Sequence, residues 1–386
     1  MNKDRLIEVA LLAAIVCGLV YAFFFNRQPL LDNDEVESVA TVLGDDVIVE
    51  PPVQPSSSNA SRRRSITEHV VVESNAFATL PHVTYRFQTP LIPKARLIGM
   101  RVLDNTLWFS GDNGLVSFDL NSEEWFIYDK NNGLPGDTAY EIEVVDGELI
   151  FGAYNWSAEG SLTSTGSYRF ASDEFKPLKA GIKEIEAGFY PSAKNAGLSG
   201  GANDVIHYKG DVWVAFRGKH LDREKDFKDG GLAQFNTKGG LVKAHTQADG
   251  IHRSYAFKMT VMSDDSLWLS HFHEEHGLSV LYPKHSTWET VERSTNNIEL
   301  GGVSLGSIND ILVIGQQRGV VFYDTVSRQA YFMDQSMGLP GNIVTGIQTV
   351  GKTVWVSAFN YHDGDRFQRS TGLTRFDYRD IEALFR

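Results

Sequence analysis

The sequence predicts an all-β protein built as a six-bladed β-propeller, with a seven-bladed propeller as the alternative. Three observations predict it: a motif that repeats along the chain, a strand and turn pattern within each repeat, and a length that fits six such units. The motif is clearest at residues 107–119 and 133–136, and it returns without a gap 205 residues later. Repetition at such a period is typical of propellers, solenoids and related arrays.

Each repeat has the pattern of a four-stranded meander. An apolar run such as Leu107–Phe109 predicts a strand, a glycine-containing turn reverses the chain, and the next strand ends in an aromatic residue and Asp. In Leu134–Gly136, proline presets φ for a type II turn, and Gly136 is expected to supply the positive φ that follows. The strand that precedes Asp119 is apolar on both faces, which favours propeller blades over a β-sandwich, the second choice.

Four weaker copies of the motif complete the count of six. Their apolar runs lie at residues 149–152, 212–214, 267–269 and 354–356. The last copy contains three strands and no clear fourth, whereas His82–Phe87 has a strand pattern but no repeat of its own. We therefore expect this N-terminal strand to complete the last blade and to remove its exposed sheet edge.

The two clear copies carry a nameable pattern: Leu-Trp-x-x-(Gly or Ser)-x-x-Gly-Leu-x-x-(Phe or Tyr)-Asp, then Gly-Leu-Pro-(Gly or Ser)-(Asp or Asn). With it, residues 107–137 and 312–342 resemble the two-component-regulator propeller repeat. Such repeats form the ligand-sensing periplasmic propellers of certain bacterial sensor proteins. The resemblance implies a propeller that binds or senses a ligand, and it leaves the ligand unidentified. The chain has no room for a cytoplasmic kinase, so we expect any signal to pass through another protein.

The N-terminal part of the chain differs in composition from the repeats. Val9–Phe25 carries no charge and closes on bulky aromatic residues, which predicts an uncleaved signal anchor rather than a cleaved signal peptide. Lys3 and Arg5 precede the run, so the positive-inside rule exports the rest to the periplasm from a bacterial inner membrane. The expected domains are a cytoplasmic stub at 1–5, a transmembrane anchor at 6–25, a disordered linker at 26–80 and the propeller at 81–386.

Charge and cysteine content exclude two classes of protein. The net charge of −13 argues against a nucleic-acid partner, because a phosphate-binding surface needs clustered Lys and Arg. The basic cluster Arg62–Arg64 falls in the predicted linker, where a simple spacer is the preferred interpretation and contact with anionic lipid or proteolysis are the alternatives. The single cysteine, Cys17, lies in the predicted anchor and excludes a disulfide framework within the chain.

The spacing of the repeats predicts that one end of the propeller is elaborated. In a meander, the connection between the second and third strands and the connection to the next blade emerge at the same end. The enlarged connections are Ala153–Gly160, Gly181–Asn203, Arg217–Gly230, His271–His276 and Phe359–Thr371. Loops on a rigid scaffold are typical binding elements, so we expect this face to bind a protein or glycan ligand. The candidate residues are Tyr154, Trp156, Arg217, His220, Asp222, Arg223, His271, His273, His276, Tyr361, His362, Asp363, Asp365 and Arg366.

The sequence contains few signals of metal binding or catalysis. His271, His273 and His276 are weak candidates for a divalent metal, and a hydrogen-bonded loop is the preferred interpretation; no other cofactor is expected. We find neither a Gly-x-Ser-x-Gly nucleophile motif nor a phosphate-cradling glycine motif. The sequence therefore favours a binding, sensing or scaffold module. The alternative is a lyase or hydrolase that acts on envelope polysaccharide or peptidoglycan, with histidines and carboxylates of the loops as acid and base.

Overall fold

The computed structural model describes residues 63–87, 97–156, 162–177, 192–199, 202–220, 227–361 and 368–386, apart from 77, 112–113, 146, 172–173, 237–238 and 273–275. The predicted stub, the predicted anchor and most of the predicted linker lie outside these ranges. None of the helices within them has the length and apolar character needed to cross a membrane.

The described chain is almost entirely antiparallel β-structure. It begins with β1 (Arg64–Ser65), a 3-10 helix (Thr67–His69), β2 (Val70–Asn75) and β3 (His82–Phe87). Sheet 1 follows with β4 (Leu97–Leu103), β5 (Thr106–Gly111), β6 (Gly114–Asp119) and β7 (Trp125–Tyr128). Sheet 2 contains β8 (Thr138–Val145), β9 (Glu148–Trp156), β10 (Leu162–Ala171) and β11 (Glu174–Pro177). One backbone pair, Gly111 with Ala139, joins sheets 1 and 2.

Sheet 3 contains β12 (Ala202–Tyr208), β13 (Asp211–Phe216), the hairpin β14 (Lys219–His220) and β15 (Phe227–Lys228), then β16 (Gly231–Phe235) and β17 (Leu241–His245). Sheet 4 contains β18 (Ala256–Val261), β19 (Leu267–His271), β20 (Leu278–Leu281) and β21 (Glu289–Thr290), and a hairpin of β22 (Ser294–Thr295) and β23 (Ile298–Glu299) follows it.

Sheet 5 contains β24 (Ser304–Ile308), β25 (Ile311–Gly315), β26 (Val320–Asp324) and β27 (Gln329–Met333). Sheet 6 contains β28 (Ile343–Val350), β29 (Thr353–Tyr361) and β30 (Gln368–Asp377), and the chain ends after the short helix α1 (Tyr378–Ala383). Further 3-10 helices, Lys130–Asn132, Gln247–Asp249 and Gln335–Met337, lie in connections between sheets.

The N-terminal strand β3 is the fourth strand of sheet 6, the position predicted for it from the sequence. It pairs antiparallel with β30 from His82 to Arg86. A glycine in the third strand shows that β3 occupies the same position as β7, the fourth strand of sheet 1. A Cβ on Gly372 would collide with the carbonyl oxygen of Tyr85, as a Cβ on Gly114 would collide with that of Tyr128 in β7. The two ends of the described chain therefore meet in one sheet.

Residues 63–80, which composition assigned to the disordered linker, belong to the folded unit. β1 pairs with β7 and β2 pairs with β3. Ile66 is only 2% exposed, and it packs in a cluster that joins sheets 1 and 6. Arg64 forms an ion pair with Asp129 at 3.2 Å, and the Arg63 guanidinium lies over the ring of Phe126. The composition argument failed here because a short strand that cannot fold alone gains its hydrogen bonds from an existing sheet edge.

The Gly-Leu-Pro-Gly segment is not the type II turn predicted from the sequence. Asp129 caps the 3-10 helix Lys130–Asn132, which ends at Gly133 with a φ of 107°. The positive φ thus falls on the glycine before Leu-Pro, and Gly136 has no positive φ. A Cβ on Gly136 would lie 2.6 Å from the carbonyl oxygen of Tyr154, so close approach of two backbones explains that glycine. The turn prediction was therefore wrong.

The sheets pack face to face, and their first strands lie innermost. Hydrophobic clusters join sheet 1 to sheet 2, sheet 3 to sheet 4, sheet 4 to sheet 5, sheet 5 to sheet 6 and sheet 6 to sheet 1. The strands β4, β8, β12, β18, β24 and β28 all border a single cavity of about 580 Å³. The polar contents of that cavity define the candidate site.

Candidate functional site

The cavity between the innermost strands is the candidate site. Each of these strands pairs along one edge with the second strand of its own sheet, and its other edge borders the cavity. Backbone N–H and C=O groups on such an edge are available to a ligand or to water. The volume of about 580 Å³ falls within the range of roughly 300–1,000 Å³ that is typical of small-molecule sites.

Arg101 of β4 and Glu143 of β8 form the first of two ion pairs in the cavity wall. The Nε and Nη2 atoms of Arg101 each lie 2.9 Å from Oε2 of Glu143. Nη1 of Arg101 donates to the carbonyl oxygen of Met100 at 2.9 Å. The pair therefore joins the inner strands of sheets 1 and 2, and it holds the guanidinium in a fixed position.

Asp204 of β12 and Lys258 of β18 form the second pair, which joins sheets 3 and 4. Nζ of Lys258 lies 3.1 Å from Oδ1 of Asp204 and donates to the carbonyl oxygen of Asn203 at 3.1 Å. The other carboxylate oxygen of Asp204 accepts from the backbone N–H of Met259 at 2.8 Å. The side-chain amide of Asn203 donates to the carbonyl oxygen of Ala256 at 2.9 Å.

In both pairs the cation is more accessible than the carboxylate. Arg101 and Lys258 are each 30% exposed, whereas Glu143 is 14% and Asp204 is 9% exposed. Burial opposes the charge of Arg101, but Glu143, which also hydrogen-bonds to it, and the more distant Asp204 together raise the pKa of the guanidinium. The accessible charges in the cavity wall are therefore positive.

Hydroxyl groups line the part of the cavity formed by sheets 4, 5 and 6. The Thr260 and Ser307 hydroxyls lie 3.3 Å apart, and Ser307 donates to the carbonyl oxygen of Val261 at 3.0 Å. Thr349 donates to the carbonyl oxygen of Ser307 at 2.7 Å. These bonds join sheets 4, 5 and 6. The cavity is therefore asymmetric, with the two ion pairs on sheets 1 to 4 and this hydroxyl cluster on sheets 4 to 6.

An aromatic cluster lies at the end of the cavity where the first strands begin and the second strands end, which we call the loop-bearing end. Tyr255 and Phe257 surround Phe272, with ring centroids 4.8 Å and 5.2 Å from it, and Val303 packs against the cluster. Phe257 and Val303 also line the cavity. Burial raises the pKa of Tyr255 to about 12, against the opposing effects of Arg217 and of a hydrogen bond to Asn203. The Tyr255 phenol is therefore neutral.

The structure covers only part of the predicted binding face. Tyr154 and Arg217 are half-buried at the loop-bearing end. The backbones of three other candidates are strand residues, seven candidates lie outside the described residues, and His271 and His276 are described below. The strand residues are Trp156 in β9, His220 in β14 and Tyr361 in β29. Those outside are Asp222, Arg223, His273, His362, Asp363, Asp365 and Arg366.

The described parts of the enlarged connections of sheets 2 and 6 are strand. β9 and β10 pair as far as Trp156 with Leu162, and β29 and β30 pair as far as Tyr361 with Gln368. In sheet 3 the separate hairpin of β14 and β15 occupies part of the connection. Several residues that the sequence marks as loop are therefore paired strand residues.

His271 is not on the exposed rim, contrary to its predicted place. Its side chain is 0% exposed, and its neighbour in the motif, His276, is 7% exposed. Nδ1 of His271 lies 3.2 Å from the carbonyl oxygen of Tyr255, so Nδ1 carries the proton, and Nε2 lies 2.9 Å from the Ser279 hydroxyl. That hydroxyl accepts from the backbone N–H of His252, so its own proton goes to His271.

This network leaves no lone pair on His271 for a metal ion. Burial lowers the pKa of the imidazole to about 3, which keeps it neutral. In the part of the chain that the structure describes, no group of three or more His, Cys, Asp or Glu side chains is arranged to hold a metal. The metal interpretation of His271 is therefore contradicted by its hydrogen bonds.

The sequence analysis did not single out the cavity residues, because binding residues were expected in loops rather than in strands. Arg101, Glu143, Asp204 and Lys258 each lie inside the first strand of a repeat, in runs that are otherwise largely apolar. An ionisable residue inside such a strand costs free energy unless it is paired, so its presence is informative. That signal was available in the sequence.

Comparison with known proteins identifies no family. No family model matches the chain, and no curated protein matches it. Among solved structures, the chain is similar to a gluconolactonase from Xanthomonas campestris, with 11% identity, 84% of this chain and 98% of that chain covered, and a TM-score of 0.45. It is also similar to the WD40 β-propeller domain of Doa1, with 10% identity and a TM-score of 0.40. The similarity covers 73% of this chain and 92% of that chain.

A third similar structure is the extracellular domain of a protein described as a one-component system of B. thetaiotaomicron. The identity is 14%, the TM-score is 0.32, and 82% of this chain but only 45% of that chain is covered. Since all three TM-scores are below 0.5, no functional argument rests on these likenesses. The chain is an all-β protein of packed antiparallel sheets, and its function must be argued from its own cavity.

Proposed function

We propose that this chain is an exported six-bladed β-propeller that binds or senses a ligand through its loop-bearing end and central cavity. One observation carries the proposal: six first strands border one cavity, and four of them bring a charged side chain to its wall. Ionisable groups are expensive in such a position, and a scaffold that needed only stability could use apolar residues there. A preformed cavity with a few fixed polar groups is typical of a ligand site.

The packing of sheet 6 on sheet 1 supports a closed ring of six blades. Tyr85 of β3 packs against Phe118 of sheet 1 and Trp355 of sheet 6, with ring centroids 5.1 Å and 5.8 Å from its own. β1 extends sheet 1 and β2 extends sheet 6, so the N-terminal segment crosses the boundary between the two. We propose that residues 6–25 anchor this body to the inner membrane and that it lies in the periplasm.

Binding is favoured over catalysis by the state of the cavity groups. Both carboxylates, Glu143 and Asp204, are held against cations, and His271 is buried with both ring nitrogens in hydrogen bonds. A general acid or base needs a proton-transfer site within reach of its substrate. Nothing specific among the described residues favours the alternative, a lyase or hydrolase acting on an envelope polymer. We propose further that a sensed signal passes to another membrane or periplasmic protein.

The test is a ligand screen with the full-length protein and a cavity-filling variant. Gln348 lines the cavity, and Gln348→Trp places a large ring there; Gln329→Trp places the same ring on the exposed face of β27 as a control. Fractions of a soluble envelope extract are scored by the rise in melting temperature. A ligand present at 100 times its Kd stabilises by about 2.7 kcal/mol.

We expect at least one fraction to raise the melting temperature of the wild type and of Gln329→Trp, but not that of Gln348→Trp. An equal response of Gln348→Trp would mean that the ligand does not use the cavity. Conversion of a fraction component into new products by the wild type would support the enzymatic alternative. Retention of the protein in membranes after an alkaline wash, and its release when residues 6–25 are deleted, tests the anchor.

A further inference from the structure

The geometry points to a carboxylate-binding subsite at the mouth of the cavity between sheets 3 and 4, where Arg217 would bind the carboxylate of a small hydroxylated organic acid. This inference rests on the proposed function, because it names the chemical class of ligand for the same cavity. It depends on the position of Arg217, on the absence of an acidic partner for Arg217 among the described residues and on the excess of positive groups along the cavity.

Arg217 lies beside the mouth of the cavity. It directly follows β13, whose last residue, Phe216, pairs with Ala202 at the start of β12. The next residue, Gly218, donates its N–H to the carbonyl oxygen of Ser199 at 3.0 Å. The backbone of Gly230 fits so closely between Gly218 and Ser254 that a Cβ there would collide with the Ser254 carbonyl oxygen. The segment that carries Arg217 is therefore packed against the residue that precedes Tyr255.

Arg217 has no acidic partner in the described part of the chain. None of the ion pairs there includes it, although the protein as a whole has a net charge of −13. Arg217 interacts electrostatically with the Tyr255 hydroxyl. It lowers the pKa of that hydroxyl, but burial raises the same pKa by more. A neutral phenol cannot compensate a guanidinium charge. Among the described residues, therefore, no carboxylate competes with an anion that approaches Arg217 from the mouth.

Further positive groups line the path from the mouth into the cavity. Two of the three N–H groups of Lys258 are used, by Asn203 and Asp204, and the third is available. Arg101 is likewise 30% exposed and lies beyond them. Counting Arg217, three cations face two carboxylates, so a single negative charge on the ligand would balance the site. Carboxylates bind guanidinium groups through two parallel hydrogen bonds, which favours an organic acid.

The hydroxyl groups of the cavity would bind the hydroxyl groups of the ligand. Ser307 and Thr349 lie on sheets 5 and 6, which carry none of these cations, and Thr260 lies on β18 two residues from Lys258; the three hydroxyl oxygens keep a lone pair for a ligand hydroxyl. Phe272, partly buried at the mouth, offers an apolar surface next to Tyr255. A ligand with one carboxylate and several hydroxyls would match both sides of the cavity.

The experiment compares D-glucuronate with D-glucose, which share a ring and differ in the carboxylate. Binding to the full-length protein is measured by calorimetry at low ionic strength for the wild type, Arg217→Gln and Arg379→Gln. Arg379 lies on α1 and its side chain is 82% exposed, so Arg379→Gln is the control that removes one positive charge at a site outside the cavity. We expect the wild type to bind glucuronate at least about tenfold more tightly than glucose. Arg217→Gln should lose at least about tenfold in glucuronate affinity and leave glucose unaffected, whereas Arg379→Gln should bind as the wild type does.

Three outcomes would overturn the inference: no binding of glucuronate by the wild type, equal affinity for the two sugars, or wild-type glucuronate affinity in Arg217→Gln. The variant Gln348→Trp separates this failure from failure of the proposed function. If both sugars bind equally and both are lost in Gln348→Trp, the cavity is the ligand site and only the carboxylate preference is wrong. Arg217→Lys should restore part of the glucuronate affinity, because it returns the charge without the planar pair of donors.

Discussion

Arg101 and Glu143 join the innermost strands of two neighbouring sheets, with two guanidinium nitrogens 2.9 Å from one carboxylate oxygen. The pair links positions 42 residues apart in the sequence. Glu143 is only 14% exposed, and Arg101 is the cation paired with it. The pair therefore has two roles, since it holds adjacent sheets together and presents a cation to the cavity.

Removal of the Glu143 charge should destabilise the protein more than removal of a comparable charge outside the cavity. We expect Glu143→Gln to lower the free energy of unfolding by about 1–3 kcal/mol, since a partly buried guanidinium is left without its counter-charge. The control is Glu148→Gln, in the half-exposed pair with Arg169 at 3.1 Å, where about 0–1 kcal/mol is expected. Urea unfolding followed by tryptophan fluorescence measures both. Equal effects would show that the cavity pair has no special role.

The boundary between sheets 1 and 6 should be a weak point when its central side chain is removed. Tyr85 is 1% exposed and contacts the rings of Phe118 and Trp355. We expect Tyr85→Ala to cost about 3–5 kcal/mol, from lost burial and the cavity that remains. Val72, on the adjacent strand β2, is 52% exposed, so Val72→Ala should change stability by less than about 0.5 kcal/mol. Thermal unfolding of both variants, beside wild type at the same protein concentration, measures the difference. An effect of Tyr85→Ala as small as that of Val72→Ala would contradict the proposal that β3 closes the ring between sheets 6 and 1.

Two glycines of sheet 6 should differ sharply in their tolerance of a methyl group. Gly372 has a φ of 152°, and a Cβ there would collide with the carbonyl oxygen of Tyr85. We expect Gly372→Ala to cost about 3 kcal/mol or more, because strain and a backbone collision act together. Gly351 has a φ of 58° and open space around it, so Gly351→Ala should cost only about 1–2 kcal/mol. Denaturant midpoints of the two variants give the comparison; a reversed order would refute the equivalence of β3 with the other fourth strands.

Stability should fall in mild acid because two buried histidines resist protonation. Burial lowers the pKa of His271 to about 3 and that of His245 to about 4. An unfolded chain protonates these groups near pH 6.5, so their contribution is complete above that pH and is lost progressively as pH falls toward 4 and below. We expect the free energy of unfolding to fall by up to about 1.4 kcal/mol per pH unit for each histidine.

Urea unfolding at pH 7.5, 6.0 and 5.0 measures this slope. In His271→Gln one titrating group is absent, so the slope should be smaller than that of the wild type, although the variant is less stable at every pH. A variant slope identical to that of the wild type would mean that other groups cause the acid sensitivity.

Local pattern was sufficient to predict the core strands of the repeats, glycine-containing turns before third strands and the place of β3. The same local pattern misassigned residues 63–80, because their strands depend on edges supplied by β7 and β3, far along the chain. It also placed the positive φ on Gly136 rather than on Gly133, since both lie in the same short motif and only the three-dimensional capping by Asp129 distinguishes them. Loop length likewise could not show that His271 ends its strand with its side chain inside the protein.

By itself, the sequence determined the repeated four-stranded unit, because alternation and turn residues act between near neighbours in the chain. The tertiary structure alone decided which polar groups meet. Asp204 and Lys258 are 54 residues apart, and Arg101 and Glu143 are 42 apart, yet both pairs are in contact because the first strand of every sheet borders the same cavity. Convergence of this kind depends on how the sheets pack against each other, and no local pattern encodes that.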